Sequence, residues 1–391
     1  MAIDFIEKRD LGLHMTFQPD KKRPIFNWLY YKEAFSSHLV KRVLNELGIV
    51  GPVLDPFVGV GTVPLECKYN GIAGIGVDAS PLAVLASRVK TRNYSRDELE
   101  MVVRELAKML EVKNERPRMD WSFELFRPDL VLPQRNLGFI KIARERIERV
   151  QNEKVRSFLL LGLLSILPQC SYVLKDGGVL KIKKNKRAAD AKAMFKRKIK
   201  RMIRDVIEYG VDYDEPEIAH GSAMTLNLPD ESIGGIITSP PYLNNVDYTK
   251  VYGLELSLLD PSMSIGEVRH GMVRSFLKRG GQHVRIKNDI VFEKLVERLG
   301  PNMPLIAYAY FTDMLQVIRE CARVLRQNGV CAMVVGNSVV ERANIETDAI
   351  LAELALECGM KCEVWVGSVR YADVPVRGKL PFRESCIIMR K

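Results

Sequence analysis

The chain has 391 residues, 59 Lys and Arg against 48 Asp and Glu, and a formal charge of +11 at pH 7, with 47% hydrophobic and 27% charged residues. Length and composition describe a globular chain with a sizeable core and exclude a disordered one. The excess positive charge favours a polyanionic partner but carries no information about fold.

The first ten residues mix charged and apolar side chains, so no secretory signal is read there and the expected location is the cytoplasm. A helix is predicted over 26–47 from the spacing of Phe26, Leu29, Tyr30, Phe35, Leu39, Val43 and Leu47. A strand over 52–55, a Gly-rich turn over 56–61, a helix opening at Thr62, a strand over 73–77 and a helix over 81–92 follow. That alternation is the pattern of an open parallel α/β sheet.

From 95 to 215 the pattern changes to helices over 95–112, 136–150, 153–168 and 188–209, with a less regular stretch over 171–182 turning at 176–178. The apolar run 157–167 is too short to span a bilayer and reads as buried helix. The α/β pattern returns with a strand over 232–238 that runs into Ser239-Pro240-Pro241-Tyr242. Beyond it are a polar helical stretch over 249–300 with a loop at 278–283, a helix over 305–326, a strand over 330–335, a helix over 346–358, a strand over 361–369 and an antiparallel last strand over 385–389. The expected organisation is a first core half (1–94), a mostly helical basic insertion (95–215) and a second core half (216–391) with a helical insertion at about 249–300. The seven Cys are scattered with no CxxC pair and the five His lack paired spacing, which predicts reduced thiols and no metal site.

Two stretches carry chemistry. In Asp55-Pro56-Phe57-Val58-Gly59-Val60-Gly61-Thr62, the glycines permit a sharp turn and close approach of a ligand to the backbone, at the strand end where open α/β sheets bind ligands. A dinucleotide fingerprint needs Gly or Ala three positions after Gly61, and Pro64 stands there instead. Asp78, at the end of the next strand, suits a ribose diol, because a carboxylate accepts from both hydroxyls; its other reading is a helix cap. In Thr238-Ser239-Pro240-Pro241-Tyr242, two prolines stiffen the chain and remove donors. Carbonyls and a hydroxyl are left to accept hydrogen bonds from an amino group, and a Tyr offers a flat face to stack on a base.

Together these motifs resemble the S-adenosylmethionine-dependent methyltransferases that act on exocyclic amino groups of nucleic acid. The resemblance covers roughly 22–92 and 215–391 and implies a Rossmann-like class I methyltransferase sheet, with the insertion between cofactor loop and catalytic loop. It implies S-adenosyl-L-methionine bound by Asp55, Pro56, Phe57, Gly59, Gly61, Thr62, Asp78 and Ala79, with Ser222 and Ala223 near its adenine and Asn27 to Lys32 closing over its methionine part. Ser239, Pro240, Pro241 and Tyr242 become the catalytic loop, and Ser at the first position resembles the cytosine-N4 enzymes, whereas Asp or Asn is usual for adenine-N6 and glutamine-N5 enzymes. Two groups share this core, DNA cytosine-N4 methyltransferases and an archaeal ribosomal RNA cytosine-N4 dimethyltransferase. The sequence reading leans to RNA, with DNA as the alternative and a turnover-free binding protein as a third.

Other residues join the expected nucleic-acid contacts. Asn244 and Asn245 follow the catalytic loop, where contact with the target base and helix capping are both open readings. Arg377, Lys379 and Arg383 are read as a phosphate contact or a solvated loop. Residues 175–210 hold 13 Lys and Arg against 4 Asp and Glu, and so +9 of the +11. Lys183 and Lys184 precede the long helix, on which Lys192, Lys196, Lys200 and Arg204 recur every fourth residue and share one face. A phosphate-binding arm and a solvated helix face are the two readings of that charge.

Overall fold

The computed structural model describes residues 3–31, 33–111, 121, 123–176, 179–244, 246–276, 284–341, 343–374 and 378–391. In chain order the first half contains β1 (Asp4–Glu7), α1 (Ser37–Glu46), β2 (Val53–Asp55), α2 (Thr62–Tyr69), β3 (Gly74–Asp78) and α3 (Pro81–Thr91). Next come α4 (Arg96–Leu110), α5 (Pro128–Val131), α6 (Gln134–Glu148), α7 (Glu153–Cys170), the hairpin β4 (Val173–Asp176) and β5 (Val179–Ile182), and α8 (Ala191–Tyr209). The remainder holds β6 (Glu217–His220), β7 (Ile233–Thr238), α9 (Tyr248–Val251), α10 (Gly253–Leu259), α11 (Ile265–His270), α12 (Ile290–Leu299), α13 (Leu305–Val324), β8 (Leu325–Gly336), β9 (Ser338–Val340), β10 (Ala343–Ile345), α14 (Thr347–Glu357), β11 (Lys361–Val374) and β12 (Gly378–Arg390).

Eight strands form one sheet in the order β1-β11-β12-β8-β7-β2-β3-β6. The run from β8 to β6 is parallel, and β12 lies antiparallel between β8 and β11. This is the α/β methyltransferase sheet, a doubly wound parallel sheet with one antiparallel strand inserted third from its edge. The order runs outward in both directions from the pair β2–β7, so ligands are expected in the crevice beyond their carboxyl ends. Both halves of the crevice come from the same two neighbours, since Val53 pairs with Gly235 and Leu54 with Ile236. The sheet is buried on both faces. Helices α12, α13 and α14 cover Leu54, Ile236 and Val335 on one side, and α1 with part of α2 covers Val53, Ile237 and Val334 on the other.

The helix expected over 26–47 exists only from Ser37. Its start is set by Asp20, whose carboxylate accepts from the Ser37 backbone N–H (2.7 Å) and hydroxyl (2.7 Å), so Asp20 supplies the N-terminal acceptor from a distant turn. Upstream, Ile25 has φ of 64° and the chain turns irregularly. Phe26, Trp28 and Leu29 are buried all the same, because they pack beneath the helices of 95–209. The indole of Trp28 donates to Asp205 on α8 (2.9 Å). The irregular stretch 171–182 is the hairpin β4–β5, and 249–300 is broken into α9 to α12, with the loop 278–283 outside the described residues.

Helices α4, α6, α7 and α8 share their apolar core with α2 and α3: Leu65, Leu82 and Val89 belong to the same buried cluster as Val102, Ile140, Leu163 and Phe195. Among the described residues no helix is long and apolar enough to cross a membrane, and no group of three potential metal ligands forms.

Candidate active site

The loops after β2 and β7 open into one cleft of about 350 Å³. Asp55, Pro56, Phe57, Gly59, Thr62, Asp78, Ala79, Ala223, Ser239, Pro240, Pro241, Tyr242 and Asn244 all line it. The two expected motifs are therefore brought together, and they are bonded directly: the Thr238 hydroxyl donates to Asp55 Oδ1 across the strand pair (2.6 Å).

The glycine loop turns on two residues in the left-handed region, Gly59 (φ 50°) and Gly61 (φ 81°). A Cβ on Gly61 would stand 3.0 Å from the Ser87 Cα, so α3 also needs that glycine. Gly59 has a different use. Its N–H donates to Asp78 Oδ2 (2.9 Å), its carbonyl accepts from the Ser87 hydroxyl (2.9 Å), and the nearest groups to a Cβ there are the Phe57 carbonyl (3.8 Å) and the Tyr31 ring (3.9 Å). The loop is thus pinned from behind and open toward the cleft.

Both carboxylates have room for a ligand. Asp55, 2% exposed, accepts from the Phe57 N–H (3.0 Å) and from Thr238, both at Oδ1, which leaves Oδ2 for a cation. Asp78 accepts from the Gly59 N–H at Oδ2 and the Ser80 N–H at Oδ1 (2.8 Å), so each oxygen keeps a lone pair for a hydroxyl. Burial pushes Asp55 up to about 7, against the opposing bonds from Thr238 and Phe57. It pushes Asp78 up to about 6, against those from Ser80 and Gly59. Two acids held above their ordinary range by desolvation, with open acceptor positions, offer the acceptors that a ligand bearing a cation and a diol would need. S-adenosylmethionine has both.

At the loop after β7, the Tyr242 ring rests against the end of β8, where a Cβ on Gly336 would come within 3.1 Å of it. Burial raises its phenol pKa; the nearby Glu384 carboxylate adds to the shift and the Ser239 hydroxyl opposes it. Asn244 is exposed and accepts from the Val246 N–H (3.3 Å). Asp247 caps α9 and holds Arg269 (2.7 Å).

Several expected residues sit elsewhere. Ser222 donates to the Gly271 carbonyl (2.9 Å), and Ala223 faces the cleft in its place. Asn27 does not line the cleft, because the chain there is not a helix; its carboxamide is buried without a partner. Tyr31 covers the glycine loop instead, stacked on Tyr252 of the β7–α10 connection (centroids 4.3 Å apart). Lys32, Asn245 and Arg377 lie outside the described residues. Arg383 is no phosphate contact: Asp348 (2.8 Å) and Glu346 (3.0 Å) hold its guanidinium. Lys183, Lys184, Lys196, Lys200 and Arg204 are exposed, and Lys192 is half-buried. Sequence reasoning missed the wall made by Glu33, Ala34, Phe35, Val246 and 271–273. The carbonyl of Gly271 fastens that wall to Ser222, a contact that no local pattern announces.

No family model matches the chain. Among curated proteins it is 28% identical to the Type II methyltransferase M.AvaI of Nostoc, over 89% of this chain and 82% of the relative. It is 27% identical to the Type II methyltransferase M.BsoBI of Geobacillus stearothermophilus, over 63% of this chain and 54% of the relative. A shorter match, 30% over 24% of this chain and 18% of the relative, is to M.MjaII of Methanocaldococcus jannaschii, also a Type II methyltransferase. A solved S-adenosylmethionine-dependent methyltransferase from Methanosarcina mazei aligns over 90% of this chain and 96% of its own at 9% identity, with a TM-score of 0.32, too slight a likeness to add weight. Its sheet topology aside, the chain is similar along most of its length to Type II methyltransferases.

Proposed function

We propose that the protein is an S-adenosylmethionine-dependent DNA methyltransferase that modifies the exocyclic N4 of cytosine. The observation that carries this is the junction of the two loops: Asp55 of the cofactor loop and Thr238, which precedes Ser239, share a hydrogen bond inside one cleft. The Type II relatives favour DNA, and no relative supports the ribosomal RNA to which the sequence reading leans. Serine at the head of the Ser-Pro-Pro-Tyr loop favours cytosine over adenine.

The cofactor, when bound, supplies a methyl group on a positively charged sulfur. Everything else falls to the chain. Asp55 Oδ2 would hold the methionine ammonium and Asp78 the ribose hydroxyls, and Tyr31 would close the loop side against water. Cytosine N4 is a poor nucleophile because its lone pair is delocalised into the ring. Ser239 Oγ and the Pro240 carbonyl accept its two hydrogens, which favours a pyramidal nitrogen with its lone pair aimed at the methyl, and these acceptors stabilise the positive charge that develops on nitrogen. Tyr242 holds the base plane, and correct placement is the other large contribution. Once N4 carries a methyl, its surplus proton is acidic enough to pass to water, so the chain need hold no side-chain base at that nitrogen. The base must leave its stack first, at a cost of a few kcal/mol.

Expression in a host free of N4-methylcytosine, followed by mass spectrometry of DNA and RNA nucleosides, tests the proposal. N4-methyldeoxycytidine in DNA is the expected product. N6-methyladenine alone, or modification confined to RNA, would overturn it.

Helix α8 supplies a surface for the DNA backbone. It buries Phe195, Ile199 and Met202 and turns Lys196, Arg197, Lys200, Arg201 and Arg204 outward around a shallow depression. Lys196, Lys200 and Arg204 form no ion pair among the described residues, whereas Arg201 leans on Asp205 (3.9 Å). Replacing all three with Ala should lower the slope of log affinity for DNA against log salt by about 2–3, with cofactor affinity unchanged. A slope equal to wild type would reduce this face to a solubility feature.

A further inference from the structure

A second cavity, about 530 Å³, lies at the ends of α2 and α3 remote from the cleft. Helix α2 starts at Thr62 in the cleft and ends at Lys68 and Tyr69 in this cavity; α3 starts beside Asp78 and ends at Lys90, next to Arg92. Lys154 of α7 completes its set of cations. The acids on its wall are Glu98 and Asp212, and Glu98 already accepts from the Ser95 N–H (2.8 Å) in a helix cap.

Two of the four cations are paired with acids off the wall, Arg92 with Glu153 (2.7 Å) and Lys154 with Glu215 (2.8 Å). The other two are the unusual ones. Lys68 and Lys90 are 3% and 4% exposed, and neither forms an ion pair among the described residues. Lys90 Nζ donates only to the Phe26 carbonyl (2.8 Å); Lys68 Nζ donates to the Thr91 carbonyl (2.7 Å) and to Asn93 Oδ1. An ammonium has three hydrogens to give, so two on Lys90 and one on Lys68 lack an acceptor. Burial pushes the Lys90 amine down to about 7, with the nearby Lys198 ammonium acting in the same direction, and pushes Lys68 down to about 8. A fold that only needed to fill this space would use apolar side chains, since an unpaired buried ammonium is costly.

We propose that this cavity is a binding site for a small phosphorylated anion, separate from the cofactor cleft. Phosphate has the acceptors and the charge that two buried ammoniums with three unused hydrogens require, and the volume is that of a small-molecule site. The aromatic walls Tyr69 and Trp28 give it room for a ring as well.

Inorganic pyrophosphate is the probe, titrated calorimetrically into the full chain at pH 6.5 with the cleft saturated by a cofactor analogue. One saturable site is expected, weakened at least tenfold by Lys68→Met or Lys90→Met and unaffected by the triple substitution on α8. Methionine keeps the length of the side chain and removes a buried charge, so the variants should fold. If either does not, Lys154→Ala, on the more open side of the cavity, should weaken binding by a smaller factor. Absence of a saturable site would overturn the proposal, as would loss of binding on α8 substitution alone. Analogue binding unchanged in the two Met variants would keep this result apart from any failure of the methyltransferase assignment.

Discussion

Ser239→Ala is expected to lower the rate of methyl transfer by about 10²–10³ while leaving cofactor affinity within a factor of two, a loss of the size seen when one hydrogen-bonding group aimed at developing charge is removed. The reason is geometric. Ser239 lines the cleft beside Pro240, but the cofactor-facing bonds are made one residue earlier, by Thr238 to Asp55. Truncating Ser239 leaves that bond intact, so binding and chemistry separate at adjacent residues. Thr238→Val should show the reverse balance, with cofactor affinity reduced because Asp55 loses a donor inside the sheet. Tyr242→Phe should keep most activity and Tyr242→Ala little, since the ring and its contact with Gly336 do the positioning. Single-turnover transfer to a cytosine-containing duplex, together with calorimetry of cofactor binding, reads both quantities. Wild-type transfer by Ser239→Ala would remove Ser239 from the mechanism.

The parts of this site that were legible in the sequence are those written locally. A glycine or proline motif at the end of a strand states its own backbone geometry. The order of strands then places two such motifs side by side, because β2 and β7 are neighbours. The rest was not local. Phe26 and Leu29 recur at helical spacing yet lie in irregular chain, because their burial comes from packing under the helices of 95–209; Phe35, also outside the helix, packs against α1 and the sheet. The Trp28 indole bond to Asp205 joins residues 177 positions apart. Within the expected segment 27–32, Tyr31 and not Asn27 is the side chain that reaches the glycine loop. Likewise 271–273 reach the cleft through a contact with Ser222, and a short polar segment gives no pattern from which that contact can be read. The antiparallel last strand was legible, since Cys386 to Met389 is a continuous apolar run, but its full length to Gly378 was not.

The affinity for S-adenosylmethionine or an amino-bearing analogue should fall as pH drops below about 7, and it should do so because of Asp55. In the ligand-free chain burial holds Asp55 at about 7 and Asp78 at about 6, so both carry protons in mild acid. An ammonium beside Asp55 and hydroxyls beside Asp78 favour the ionised forms and lower both pKa values in the complex. Binding therefore releases a proton between pH 6 and 7 and up to two below pH 6. The dissociation constant should rise by up to about tenfold per pH unit in the first interval and more steeply in the second. Above pH 7.5 the two carboxylates add no further change. Asp55→Asn should bind more weakly at pH 8 and lose the limb between 6 and 7, keeping only the limb that belongs to Asp78.

Stability must move the other way. A buried acid whose folded pKa lies above its unfolded value of about 4 leaves the fold unpenalised when protonated. The cost grows as pH rises from about 4 to 7 and is constant above that. Asp55→Asn should therefore raise the melting temperature of the ligand-free protein at pH 8 and change it little at pH 4. Calorimetry from pH 5.5 to 8.5 and thermal melts at pH 4 and 8 measure the two effects. A wild-type affinity that does not vary between pH 5.5 and 7.5, or a variant destabilised at pH 8, would mean that Asp55 is a structural carboxylate held by Thr238 and Phe57 and not the counter-charge of the cofactor.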